Sequence, residues 1–95
     1  MIRNGFGQQR SCWVANRITA GQHRLNDLVL NEPAVSRFHF MIVSDPELHL
    51  FYLIDMHSLN GTWLNGRLVT RMEVLRDGDR IQIGKTLRLD VQLNS

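Results

Sequence analysis

The sequence predicts an all-β domain, a small sandwich or barrel. Three observations carry this: short runs of β-branched and aromatic residues, turn dipeptides at close intervals, and no long stretch with the periodicity of an amphipathic helix. The clearest run is the last, where Ile81, Ile83, Leu87, Leu89, Val91 and Leu93 share odd parity. Arg80, Gln82, Arg88, Asp90 and Gln92 oppose them, so one face meets a core and the other meets water. Gly84-Lys85-Thr86 turns the first of these strands into the second.

Earlier in the chain, Met1 to Gln9 carries Gly5 and Gly7 with no periodicity. A flexible lead-in over residues 1–10 is expected, with the domain proper over 11–95. Ser11 to Thr19 mixes Trp13, Val14 and Ile18 with polar residues and reads as one or two strands. Gly21 to Asp27 is a polar loop, Leu28-Val29-Leu30 a short strand, and Asn31-Glu32-Pro33 its end. Val35 to Gly66 then holds two apolar runs joined by Ser44-Asp45-Pro46-Glu47, where Asp bonds its own backbone and Pro presets φ. Two antiparallel strands joined in this way bring their far ends together. The cluster Ser36-Arg37-Phe38-His39 is therefore expected beside Ser58-Leu59-Asn60-Gly61-Thr62. Three turn dipeptides follow, Asn60-Gly61, Asn65-Gly66 and Asp77-Gly78, with only Thr62-Trp63-Leu64 between the first two.

Ninety-five residues, 43% of them hydrophobic, make one domain with a modest core rather than a disordered chain. A net charge of +2 supplies no broad field toward nucleic acid or a membrane surface, and neither partner is expected. Ten of the eleven basic residues are Arg, whose planar fork suits phosphate and carboxylate; a compositional bias toward Arg explains the count equally well. Cys12 has no partner for an intramolecular disulfide, which fits a reducing, cytoplasmic setting, and it reads as a small core residue. No segment approaches the roughly 18 apolar residues of a membrane span, and the N-terminal residues lack the apolar run of a signal peptide.

Most chemical motifs fail on spacing. Gly84-Lys85-Thr86 resembles the end of a phosphate-binding loop, but Gly78 to Gly84 leaves five intervening residues where four are needed, and no helix pattern follows. His23, His39, His49 and His57 include no pair at i, i+4, so neither a metal site nor a cofactor is expected. Nothing like a nucleophile elbow accompanies the scattered Ser, His and Asp, and the chain does not read as an enzyme. Trp13, Phe38, Phe40, Phe51, Tyr52 and Trp63 could form a base-stacking platform for single-stranded nucleic acid. Most lie in apolar runs where core packing is the expected role, and basic residues do not interleave with them. Asn60-Gly61-Thr62 spells a glycosylation sequon, without meaning in a cytosolic chain. The two polar clusters remain. Their hydroxyls, amide and guanidinium suit an anionic or peptide-backbone ligand, and they are equally the residues from which turns are made.

From about Ile18 to Leu93 the sequence resembles the forkhead-associated (FHA) domain. The matching pieces are Gly21, Asn26-Asp27-Leu28-Val29-Leu30, Val35-Ser36-Arg37-Phe38-His39, Asp55, the run from Ser58 to Gly66, and the run from Leu75 to Gly84. The resemblance implies a β-sandwich of about eleven short strands that binds a phosphothreonine-containing protein or peptide through loops at one end. It also implies that the chain belongs to a larger multidomain protein, with no cofactor. Carried over residue by residue, Ser36 donates to the phosphate and Asn60 clamps the peptide main chain; Ser58, Arg37, Gln22 and Arg24 complete the expected phosphopeptide-binding set, Arg37 from beside the site. His39, Gly21, Gly61 and Thr62 support the loops. Two positions depart from the family pattern. The phosphate-gripping Arg is Gln22, with Arg24 and His23 in the same loop and Arg17 and Arg37 nearby as candidate substitute cations, and Leu59 stands where a polar side chain is common. Binding is therefore expected to be weak or atypical, the alternatives being phospho-independent recognition of an unphosphorylated protein and a scaffold in which this site is silent and other faces bind.

Overall fold

The structure is a computed structural model that describes residues 2–4, 11–12, 16–85 and 87–93, with side chains from 16 onward. Eleven strands lie within these residues: β1 (Ile2–Asn4), β2 (Ser11–Cys12), β3 (Arg17–Gly21), β4 (Leu28–Val29), β5 (Phe40–Asp45), β6 (Leu50–Asp55), β7 (Trp63–Leu64), β8 (Arg67–Leu68), β9 (Met72–Leu75), β10 (Arg80–Ile83) and β11 (Leu87–Val91). They form two sheets, ordered β2-β1-β11-β10-β7-β8 and β4-β3-β5-β6-β9. The described pairs are antiparallel except β3–β4, which is parallel.

Alternation decides which side of each strand faces the other sheet. Ile81, Ile83, Leu87, Leu89 and Val91 are all buried, and the register Ile81↔Leu89 and Ile83↔Leu87 stacks them on one face. Opposite them lie Ile18, Ala20, Phe40, Ile42 and Leu53, also buried. These two inner faces form one continuous core, with Leu28, Leu30, Val35, Leu64, Val69 and Leu75 completing it. Burial of this kind stabilises by roughly 25 cal/mol per Å2 of apolar surface removed from water.

Turn chemistry sets the ends. Asp45 Oδ1 accepts from the amides of Glu47 and Leu48 at 3.1 and 3.2 Å, closing the β5–β6 connection as the Asp-Pro signal requires. Asn65 and Gly66 have φ of 50° and 86°, both positive, which is the two-residue turn that Asn-Gly favours between β7 and β8. No described helix is long and apolar enough to cross a membrane.

Two expectations need correction. Residues 1–10 are not wholly a lead-in, because Ile2–Asn4 pairs with β11 in the register Ile2↔Val91 to Asn4↔Leu89. Gly5 and Gly7 hid this strand by breaking the pattern immediately after it; residues 5–10 lie outside the described residues. Among the aromatic residues, core packing holds for Phe40 and for Phe51, which is half-buried against the core. Tyr52 is half-buried, and Phe38 and Trp63 are exposed. The environments of the Cys12, Trp13 and Val14 side chains lie outside the described residues.

Candidate functional site

The register of β5 against β6 fixes where the polar clusters meet. Phe40 pairs with Asp55, so the residues preceding β5 and those following β6 emerge at the same end of the sandwich. A third loop joins them as β3 ends. The amide of Gln22 donates to Ser36 O at 3.0 Å, and that of His23 to Arg37 O at 3.1 Å. Gly21 makes this approach possible, since a Cβ there would collide with the Arg37 carbonyl and lie 2.9 Å from Ser36 O.

His39 ties two of the loops from beneath. It is fully buried; its Nδ1 accepts from the Ser36 amide at 2.9 Å and its Nε2 lies 2.8 Å from Gly61 O. An amide donor at Nδ1 requires the proton on Nε2, which then donates to the Gly61 carbonyl. Burial lowers the pKa of His39 from its ordinary 6.5, opposed by the Gly61 bond and by the charge of Asp55. Neutral His39 is thus the form that fits both bonds.

Above this brace, the Leu59 amide donates to Ser36 Oγ at 3.0 Å. The hydroxyl oxygen is held while its own O–H has no acceptor among the described residues. Asn60 Nδ2 donates to Ala34 O at 2.8 Å, leaving the amide oxygen and a second N–H toward solvent. Asp55 anchors the next turn, accepting from Ser58 N at 3.2 Å, Ser58 Oγ at 2.6 Å and Thr62 Oγ1 at 2.7 Å. Thr62 is fully buried.

The charges lie at the surface. Arg24 and Arg37 are exposed, and neither guanidinium has a hydrogen-bond or ion-pair partner among the described residues. Gln22 instead turns its Nε2 to Glu32 O at 2.5 Å. The His23 ring stacks on Phe38 with centroids 5.2 Å apart.

The structure therefore gathers Gln22, Arg24, Ser36, Arg37 and Asn60 on the three loops, with Gly21, His39, Gly61 and Thr62 among and beneath them. Ser58 differs from expectation. Its hydroxyl proton is committed to Asp55, so its place is with the supports rather than with the ligand donors. Two supporting residues belong to the matching family pattern but were assigned no role from the sequence. Asp55 sits three residues before Ser58, a spacing that suits side-chain capping of a turn and could have identified it. Asn26 is buried and its Nδ2 donates to His23 O at 2.8 Å and Arg37 O at 2.7 Å, a role that a loop Asn does not advertise. No group of His, Cys, Asp and Glu among the described residues could hold a metal ion.

Comparison with known proteins gives a consistent picture. The family model described as "FHA domain" matches residues 18–84. The DNA damage response protein kinase DUN1 of Saccharomyces cerevisiae is 38% identical over 89 residues, covering 84% of this chain and 17% of the kinase. The oxoglutarate dehydrogenase inhibitor of Corynebacterium efficiens is 43% identical over 68 residues, covering 70% of this chain and 45% of the inhibitor. The chain thus spans less than half the length of either relative. Among solved structures, one from work on phosphothreonine-dependent FHA domain interactions superposes with a TM-score of 0.89 at 26% identity, covering 99% of this chain and 95% of that one. The N-terminal FHA domain of S. cerevisiae Rad53p, solved with a phosphothreonine peptide, superposes at 0.84 with 28% identity, covering 98% and 91%.

Proposed function

Because the chain belongs to the FHA domain family, we propose that it binds a phosphothreonine-containing protein segment through the loops bearing Gln22, Arg24, Ser36, Arg37 and Asn60. The observation that carries this reading is the Ser36 hydroxyl. Its oxygen is held by the Leu59 amide through a lone pair, which leaves the O–H free to donate to a ligand. Phosphate brings about −1.5 to −2 charges and three strong acceptors, and the unpaired Arg24 and Arg37 supply opposite charge from the neighbouring loops. Asn60 offers its remaining amide atoms to the peptide main chain. The module recognises rather than catalyses, and the single cysteine suits a reducing, cytoplasmic setting. The longer chains of its relatives support a role as the recognition domain of a larger protein.

A second reading, phospho-independent protein binding, is favoured by one pair of facts: Gln22 brings no charge, and the Leu59 side chain is 89% exposed at the heart of the site. Matched phosphothreonine and unphosphorylated peptide libraries titrated against the domain separate the two. Phosphate-dependent binding that weakens in Ser36→Ala supports the first, and equal affinity for both libraries rejects it.

A further inference from the structure

The two sheets differ on their outer faces. On β10 and β11 the outward positions are Arg80, Gln82, Arg88 and Asp90, as a face in water requires. On β5, β6 and β9 they are apolar: Met41 and Val43, Tyr52 and Ile54, Met72 and Val74, opposite in parity to the buried Ile42, Leu53 and Leu75. The register sets them in two rows, Val43-Tyr52-Val74 and Met41-Ile54-Met72, which make one stripe. Met72 is 58% exposed and the other five are half-buried. Every described strand belongs to one of the two sheets, so no strand or helix among the described residues lies over this face. Continuous apolar runs such as Phe40 to Val43 and Leu50 to Ile54 are the pattern of strands covered on both sides. We propose that this outer face is a docking surface for an amphipathic α-helix of a partner protein, with acidic residues flanking the apolar stripe of the helix. It is separate from the loops at the end of the sandwich and does not rest on the phosphopeptide reading.

Three features select this occupant. The first is shape. Three strands spaced about 4.8 Å apart give a stripe roughly 10–14 Å wide and about 20 Å long, the footprint of one helix of about 13 residues. A second copy would need to bury about 800 Å2 per partner for a stable dimer, well beyond this stripe. The second is adaptability, since Met41 and Met72 are unbranched and fit themselves to an irregular apolar partner. The third is charge. Arg17 flanks the stripe in the row of Val43, and Arg71 flanks it beside Met72. Both are exposed, and neither has an ion-pair partner among the described residues. Arg17 opens β3 at the end away from Gly21, which places it with this face rather than with the phosphate loops. Neighbouring carboxylates are engaged: Asp27 accepts from the Thr19 amide at 2.8 Å, Asp45 from the Glu47 and Leu48 amides, and Glu73 pairs with Arg67 at 3.7 Å. Acidic flanks on the helix therefore gain partners here, and basic flanks are repelled.

The test is selection from a displayed library of helical peptides, about 18 residues long, with Leu at i, i+3, i+4 and i+7 and with Glu, Lys or Ser at the flanking positions. Glu-flanked helices should be enriched. The best of them should bind about tenfold more weakly, by fluorescence anisotropy, to Met72→Glu and independently to Tyr52→Glu. Circular dichroism confirms that each variant is folded. In Arg17→Glu the preference should turn toward Lys-flanked helices, a reversal that a merely misfolded variant cannot give. Binding of the helix should persist in excess phosphothreonine peptide; displacement by that peptide would move the helix to the loops and overturn the proposal. A library that yields no binder sensitive to Met72→Glu also overturns it, as does enrichment of Lys-flanked helices or of no flank over the others. Self-association in analytical ultracentrifugation that Met72→Glu abolishes gives the face to a second copy of the chain and overturns it too.

Discussion

The backbone amide of Leu59 donates to Ser36 Oγ at 3.0 Å, and this bond joins the two loops that β5 and β6 present at one end of the sandwich. It fixes the hydroxyl oxygen and leaves its hydrogen available. Ser36→Ala removes both functions at once. Hydrogen bonds to charged groups contribute about 1.5–3 kcal/mol, so phosphopeptide affinity should fall roughly tenfold to a hundredfold. Stability should change little, because Leu59 is exposed and water can satisfy its amide. Calorimetric titration paired with thermal melts checks both halves; an affinity within about twofold of wild type would place Ser36 away from the ligand.

The missing cation gives the second prediction. Gln22 is held at the surface by Glu32 O, a bond whose loss in Gln22→Arg water can largely replace. The added guanidinium should tighten phosphopeptide binding by about tenfold and steepen its salt dependence. Arg24→Ala and Arg37→Ala should each weaken binding in the wild-type background, and less so in Gln22→Arg. An unchanged affinity in both single variants would show that neither arginine substitutes for the missing charge.

Much of this was legible in the sequence because alternation and turn dipeptides are local signals. The odd-parity run from Ile81 to Val91, the Asn65-Gly66 turn and the pairing of the two polar clusters depend on residues close in sequence, and all three are found. What could not be read depends on distant partners. Ser58 is the exception, because Asp55, which takes its hydroxyl proton, lies only three residues earlier, a spacing that could have shown the contact. Asn26 sits in a polar loop by composition, yet it is buried where it spans to the carbonyl of Arg37 eleven residues on. Ile2–Asn4 is too short for its alternation to be counted and owes its strand to β11, nearly the whole chain away. The departures at Gln22 and Leu59 were visible as residue types, but whether Arg24 and Arg37 were already paired was not.

Gly21 gives a stability prediction that is independent of ligand. A Cβ at this position would meet the backbone of Arg37, with its carbonyl carbon 2.7 Å away. Backbone atoms cannot rotate aside as a side-chain end can, so Gly21→Ala must push the Ser36–Arg37 segment outward. That strains the Gln22 and His23 amide bonds which close the site. Overpacking of this kind costs about 1–3 kcal/mol, a fall of roughly 4–8 °C per kcal/mol in a domain of this size. Differential scanning calorimetry should show this drop. A melting temperature unchanged by Gly21→Ala would mean that the two loops separate freely, and that the close approach is unimportant to the fold.

His39 makes the domain sensitive to acid, and the sign follows from its bonds. Its folded pKa lies below 6.5, while the unfolded chain takes up a proton near that value. Below pH 6.5 the unfolded state therefore binds more protons, and stability falls as the pH falls through the folded pKa. The His39 contribution is fully present above 6.5. Protonation at Nδ1 would set two N–H groups against each other at Ser36 and release the loop that carries the hydroxyl. The melting temperature of the free domain should thus drop between pH 7.5 and 5.5, and His39→Gln, though less stable at pH 7.5, should show a shallower drop over the same range. Measuring stability without peptide matters, because phosphate itself titrates near pH 6 and would weaken binding whatever His39 does. Parallel slopes for the two proteins would assign the acid sensitivity to other groups and leave His39 as a brace without a switch.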